Sequence, residues 1–149
     1  MKHVVTYCLV AVMVFTGCST PYKSLKSISS MDEITYKFPV KKFMLPKSGY
    51  EIAYNDEGSG SKTIIFIHGV GSYLRAFEKN VEVLRENYRC IAIDLPGYGK
   101  SSKQPHSGMM SFYAGIINEL VEQLNLGKVV IAGHSMGGQI AMTTALLYP

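Results

Sequence analysis

The chain has no tryptophan, no stretch of low complexity, and no apolar run approaching the roughly 20 residues needed to cross a bilayer. It has no basic run and no interleaving of basic with aromatic side chains, which excludes a nucleic-acid surface built on charge. Its net charge of +4 arises from 15 basic and 11 acidic residues scattered along the sequence, so charge singles out no partner. A hydrophobic content of 47% against 17% charged excludes a disordered polymer. The 149 residues suffice for one domain with a core, and neither an internal repeat nor a second domain boundary is visible. Histidine is scarce: His3, His68, His106 and His134 are the whole set. Between Ser135 and Pro149 there is no Asp, Glu or His at all.

What is present at the N-terminus has the pattern of an export signal. Lys2 and His3 precede an apolar run over residues 4–15, then Thr16-Gly17-Cys18 and a polar tract. The residues VFTGC, 14–18, resemble the lipobox of bacterial lipoproteins, with Phe15 where Leu is usual. The resemblance implies diacylation of Cys18, which becomes the new N-terminus, and two or more acyl chains hold a protein on a membrane stably. The expected organisation is a signal peptide over 1–17, a Ser- and Lys-rich tether over 18–37 and a domain from 38 onward, lipid-anchored in a bacterial cell envelope. Cys8 then leaves with the signal and Cys18 carries lipid. Cys90 is left without a disulfide partner and reads as a small buried hydrophobe.

From residue 38 the pattern becomes that of an α/β domain. Residues 40–45 and 51–55 are strand candidates around the turn Lys47-Ser48-Gly49. Three compact apolar runs follow, TIIFI (63–67), CIAI (90–93) and KVVIA (128–132), and apolar runs without alternation suit parallel strands covered on both faces. Leu74, Phe77, Val81 and Leu84 recur at helical spacing, and Met109, Phe112, Tyr113, Ile116, Ile117, Leu120, Val121 and Leu124 form a fuller stripe. A last helix is expected over 136–147. The alternation of strand and helix argues a layered fold with right-handed crossovers.

The last strand runs into Gly133-His134-Ser135-Met136-Gly137-Gly138, which satisfies G-x-S-x-G in a strand-to-helix context. A nucleophile on so sharp a turn needs small residues two places to either side, which Gly133 and Gly137 supply. The TIIFI strand runs likewise into His68-Gly69-Val70-Gly71-Ser72. Acyl transfer needs two aimed donors for its oxyanion, expected here to be the backbone N–H groups of Val70 and Met136. Two other motifs fail on inspection. Gly99-Lys100-Ser101 mimics the end of a phosphate-binding loop, but Asp94 stands where its first Gly is required. Gly97-Tyr98-Gly99 begins a dinucleotide fingerprint, but Ser102 holds the third glycine position. No cofactor and no metal is expected.

FIHGVGSYLRAF (66–77), AIDLPGYGKSS (92–102) and IAGHSMGGQIA (131–141) together resemble the α/β-hydrolase superfamily, in the right order and over about residues 40–149. The resemblance implies an eight-stranded, mostly parallel sheet flanked by helices and a serine esterase-like chemistry with Ser135 as acyl acceptor. A small-molecule acyl or ester substrate is the expected partner. In this family the order is Ser, then an acid, then His, and neither partner follows Ser135. His106, in the loop over 103–108, is the remaining stand-in for the base. The expectation is therefore a hydrolase truncated after the elbow helix and inactive as it stands. The alternatives are a non-enzymatic or binding-only lipoprotein and another α/β-hydrolase chemistry, such as carbon–carbon bond hydrolysis or that of the haloperoxidase-like members. Lipidation is directly checkable: radiolabelled palmitate is expected to enter the wild type and not a Cys18→Ser variant, and equal labelling of both would refute it.

Overall fold

A computed structural model describes residues 29–30 and 33–149; the signal peptide, Cys18 and most of the expected tether lie outside the described residues. Five strands form one sheet: β1 (Lys41–Met44), β2 (Glu51–Glu57), β3 (Thr63–Ile67), β4 (Arg89–Ile93) and β5 (Val129–Gly133). The helices are α1 (Glu78–Leu84), entered through a 3-10 segment Leu74–Phe77, then α2 (Met110–Gln123) and α3 (Met136–Leu147). The strand order is β1-β2-β4-β3-β5, with β1 and β2 antiparallel and β4, β3 and β5 mutually parallel.

The period-two alternation of strand side chains sorts the core into two layers. Ile65, Ile67, Ile91 and Ile93 face α2 and α3, where Ile116, Ile117, Leu120 and Ile140 meet them. Ile64, Phe66, Cys90 and Ala92 face the other way, onto Leu74 and Val81. The chain steps from β3 to β4 in one direction and from β4 to β5 in the other, over β3. Right-handed crossovers must then put α1 and α2 on opposite faces, as the two layers show. Cys90 is fully buried among these apolar neighbours, and burial pushes its thiol pKa up, so it packs as a hydrophobe.

Two boundaries differ from the sequence expectation for one reason. β2 continues through Asp56 and Glu57, and β4 begins at Arg89, because these charges find partners: Asp56 pairs with Arg89 across the sheet and Glu57 with Arg85 at the end of α1. Arg89 Nε and Nη2 donate to the two Asp56 carboxylate oxygens at 2.8 and 2.9 Å, and Arg85 Nη1 donates to Glu57 at 3.2 Å. Charged ends that find each other do not break a strand. The hairpin turn is held similarly: Glu119, on α2, accepts the backbone N–H of Lys47 at 2.5 Å and of Ser48 at 3.1 Å. β5 departs from the doubly covered pattern of β3, since it stands at the sheet edge with Val130 exposed.

The Arg89 hydrogen bond holds the Asp56 carboxyl below its ordinary pKa, against the opposing effect of burial. A depressed folded-state pKa contributes stability above the unfolded value of about 3.9, and that contribution is lost as pH falls through the folded value. The urea midpoint of the wild type is accordingly expected to drop across the carboxylate range on acidification. Asp56→Asn should be less stable at neutral pH and show a flatter acid limb; an identical limb would show that the pair carries no pH-dependent stability.

Candidate active site

The parallel strands β3, β4 and β5 all point their C-terminal ends to one edge of the sheet, and the loops leaving them assemble there. The loop after β3 runs to α1 on one face, and the turn after the adjacent β5 runs to α3 on the other. A crevice between neighbouring strands whose connections diverge in this way is where open α/β sheets bind ligands. Ser135 stands at that point, between β5 and α3, with its side chain exposed.

Its backbone lies at φ 55°, ψ −120°, in the left-handed half of conformational space that non-glycine residues avoid at a cost of about 1–3 kcal/mol. Neighbouring backbone holds it there. A Cβ on Gly137 would sit 2.0 Å from the Ile67 carbonyl oxygen, and one on Gly133 would sit 2.1 Å from the Gly137 carbonyl oxygen. Only glycine lets the first turn of α3 press so closely on β3 and β5. Gly69 fills the same role from the facing loop, since a Cβ there would meet the Ser135 Cβ at 3.2 Å. The strand itself runs on into the elbow, with His134 N–H donating to the Ile67 carbonyl at 3.1 Å.

The structure brings the loop carrying Val70 alongside the elbow through that Gly69 contact. Among the described residues, neither the Val70 N–H nor the Met136 N–H has an intramolecular acceptor, whereas Gly137 and Gly138 donate to His134 and Ser135 carbonyls. Met136 opens α3, where free N–H groups and the helix dipole favour negative charge. The Ser135 hydroxyl, in turn, has no histidine or carboxylate bonded to it among the described residues.

Two buried polar residues tie the edge together. His68 is fully buried, its Nδ1 2.8 Å from the Gly69 carbonyl and its Nε2 accepting the Leu95 N–H at 3.1 Å. Both ring nitrogens are thus committed, in the tautomer protonated at Nδ1, and burial lowers the ring's pKa, so His68 is a neutral cross-link between the ends of β3 and β4. Asp94, also fully buried, accepts the Leu74 N–H on Oδ1 at 2.7 Å and the Lys100 N–H on Oδ2 at 2.7 Å. Its third donor, the Tyr36 hydroxyl at 3.0 Å, comes from the segment read as tether. Burial first, then the Asp94 charge, push the Tyr36 phenol above its usual pKa.

His106 lies elsewhere on this edge. Its ring stacks on Phe112 at 4.9 Å, meets Tyr113 edge-on at 5.3 Å, and accepts the Gly108 N–H on Nδ1 at 3.1 Å. None of these contacts involves Ser135. His134, exposed beside Ser135, makes no side-chain hydrogen bond among the described residues. Among the described residues no cluster of His, Cys, Asp or Glu could hold a metal, and no helix is long and apolar enough to cross a membrane.

Residues 62–149 match the family model for the alpha/beta hydrolase fold. The chain belongs to that family. Its relatives among curated proteins are chemically diverse. One is the 2-hydroxy-6-oxononadienedioate/2-hydroxy-6-oxononatrienedioate hydrolase of Escherichia coli K12, 37% identical over 66% of this chain and 36% of that protein. Another is the dihydrolipoyllysine-residue acetyltransferase component of the acetoin cleaving system of Cupriavidus necator, 33% identical over 68% of this chain and 27% of that protein. Among solved structures, a probable hydrolytic enzyme from Pseudomonas aeruginosa PAO1 superposes with a TM-score of 0.72 at 33% identity, over 78% of this chain and 40% of that one. A bromoperoxidase from Bacillus anthracis gives 0.68 at 32% identity, over 74% of this chain and 40% of that one. The chain therefore spans well under half the length of each of these relatives.

The glycine contacts of the hydrolase elbow predict a specific sensitivity. Gly137→Ala drives a methyl group into the Ile67 carbonyl and is expected to lower the unfolding free energy by about 2 kcal/mol or more, since overpacking against backbone has no flexible side chain to absorb it. Gly138→Ala, whose Cβ would find its nearest neighbour at an ordinary 3.5 Å, is the control. Equal urea midpoints for the two variants would show that the elbow is looser than described.

Proposed function

We propose that Ser135 is the nucleophile of a membrane-anchored serine hydrolase acting on a small ester or related acyl substrate. The observation that carries this reading is the conformation of Ser135: an exposed hydroxyl on a positive-φ residue, held by glycine contacts at the meeting point of β3 and β5. Such strain persists only where the surrounding structure imposes it, and it clusters at functional sites. In the proposed reaction Ser135 Oγ attacks the acyl carbon while a general base takes its proton. The carbonyl oxygen, now an oxyanion, is received by the N–H groups of Val70 and Met136. Each such donor contributes about 3–4 kcal/mol of transition-state stabilisation. Collapse of the intermediate expels the alcohol and leaves the acyl group on Ser135, for water to remove.

The base and its orienting acid are proposed to come from polypeptide outside residues 1–149. Support for this is that among the described residues Ser135 bonds no histidine or carboxylate, that His68 is committed on both nitrogens, and that His106 is held in an aromatic cluster. Anchoring through a lipid on Cys18 belongs to the same proposal and rests on the lipobox-like sequence. A second reading, hydrolysis of a carbon–carbon bond, is favoured by the 37% identity to the E. coli hydrolase. It uses the same serine and the same loop.

Residues 1–149 alone are expected to turn over a short-chain nitrophenyl ester no faster than their Ser135→Ala variant. A polypeptide extended to include a base should hydrolyse it, and Ser135→Ala should remove about a thousandfold or more of that rate. Turnover that survives Ser135→Ala in the extended protein would reject Ser135 as the nucleophile. Ser135-dependent turnover by residues 1–149 would instead place the base within the chain.

A further inference from the structure

The segment ahead of β1 packs against Tyr73, at the end of the loop that carries Val70, and against Glu78 beyond it. Ile34, Tyr36 and Phe38 alternate along a stretch that bends at Lys37 and Phe38; Ile34 and Phe38 are buried and Tyr36 is half-buried. Tyr36 touches three parts of the frame around the site. Its hydroxyl donates to Asp94 Oδ2 at 3.0 Å, its ring meets Tyr73 edge-on with centroids 5.7 Å apart, and Lys100 Nζ lies 5.1 Å over its face. One residue on, the Lys37 N–H donates to Glu78 Oε1 at 2.8 Å. The segment thus grips the chain at Tyr73 and again at Glu78, on either side of the 3-10 turn.

Among the described residues the Val70 N–H has no acceptor, so its direction depends on what fixes the backbone before and after it. Upstream, His68 is locked by both ring nitrogens. Downstream, the Leu74 N–H is bound by Asp94, and Tyr73 is braced by the Tyr36 ring. Asp94 is in turn oriented by Tyr36 and by the Lys100 N–H. We propose that Tyr36 is a positioning residue, whose hydroxyl and ring set the loop over residues 69–74 and so the aim of the Val70 N–H. The proposal rests on the reading of Val70 as an oxyanion donor. Tyr36 lies outside the 62–149 region matched by the family model, so this contact comes from the chain's N-terminal segment.

If Tyr36 only filled space, its hydroxyl would be dispensable. Tyr36→Phe retains the ring on Tyr73 and removes the hydroxyl donor to Asp94, leaving that carboxylate two backbone N–H groups. Hydrogen–deuterium exchange on the whole protein is the direct readout. Tyr36→Phe is expected to speed exchange of the hydrogen-bonded amides within residues 69–74, those of Ser72 and Leu74, by about tenfold, the equivalent of one hydrogen bond to a charged group, while α2 exchanges as before. Tyr36→Ala, which loses the ring contact too, should go further. In a form of the protein with Ser135-dependent ester turnover, Tyr36→Phe should lower kcat several-fold at unchanged KM, because the oxyanion exists only in the transition state. Unchanged exchange over 69–74 in both variants, or equal acceleration throughout the sheet, would overturn the proposal; so would local acceleration with kcat intact. Should no form show Ser135-dependent turnover, the hydrolase reading fails, and the exchange pattern still decides whether Tyr36 orders the loop.

Discussion

The first turn of α3 presses against the end of β3 with nothing between them but backbone, and the geometry of the whole upper edge follows from that contact. Gly137 lies so near the Ile67 carbonyl that no side chain fits, and Gly133 lies equally near the Gly137 carbonyl. Between these two close approaches the chain must turn from strand to helix in a single residue. Ser135 absorbs the turn, at a φ of 55°. The same contact that strains the serine also lifts it out of the core and leaves the Met136 N–H, which begins α3, without an acceptor among the described residues.

A strained elbow is useful only if the facing loop is equally well placed, and here the task falls to two buried polar side chains. His68 and Asp94 sit at the ends of β3 and β4, and each bonds backbone N–H groups or carbonyls belonging to another loop. A buried carboxylate that accepts only one hydrogen bond would be costly, whereas one met by three donors can organise its surroundings. Asp94 gathers residues 36, 74 and 100 onto one group. Histidine here acts as a neutral strut and not as a base.

The two ends of the sheet contrast with this rigidity. At one, the β1–β2 hairpin is closed by ion pairs and by Glu119 reaching to the turn. At the other, β5 is an edge strand with Val130 exposed, and an apolar groove lined by Val129, Ile131, Ala141, Ala145 and Tyr148 opens beside it. An exposed parallel edge is an adhesive surface. The relatives are all much longer than this chain, and their matched share ranges from 27% to 40%.

Much of this was legible along the sequence. The apolar runs of β3, β4 and β5 and the stripe on α2 locate the elements, because a buried strand and an amphipathic helix each leave a local period. The glycines flanking Ser135 mark the elbow for the same reason, since the contact that demands them lies within a few residues. Where charges end a run, local reading stops short: Asp56, Glu57 and Arg89 look like loop residues until Asp56 is seen to pair with Arg89 across β2 and β4, and Glu57 with Arg85 at the end of α1. Ile34, Tyr36 and Phe38 carried an alternation that the surrounding serines and lysines hid. By itself, then, the sequence determined the elements, their order and the serine's place on a strand-to-helix turn, all of which depend on neighbours in the chain. Only the tertiary structure decided that β3 lies between β4 and β5, that His68 is spent on two backbone partners, and that Tyr36 reaches Asp94. Those contacts join residues tens of positions apart, and they exist only once the sheet has set its strand order.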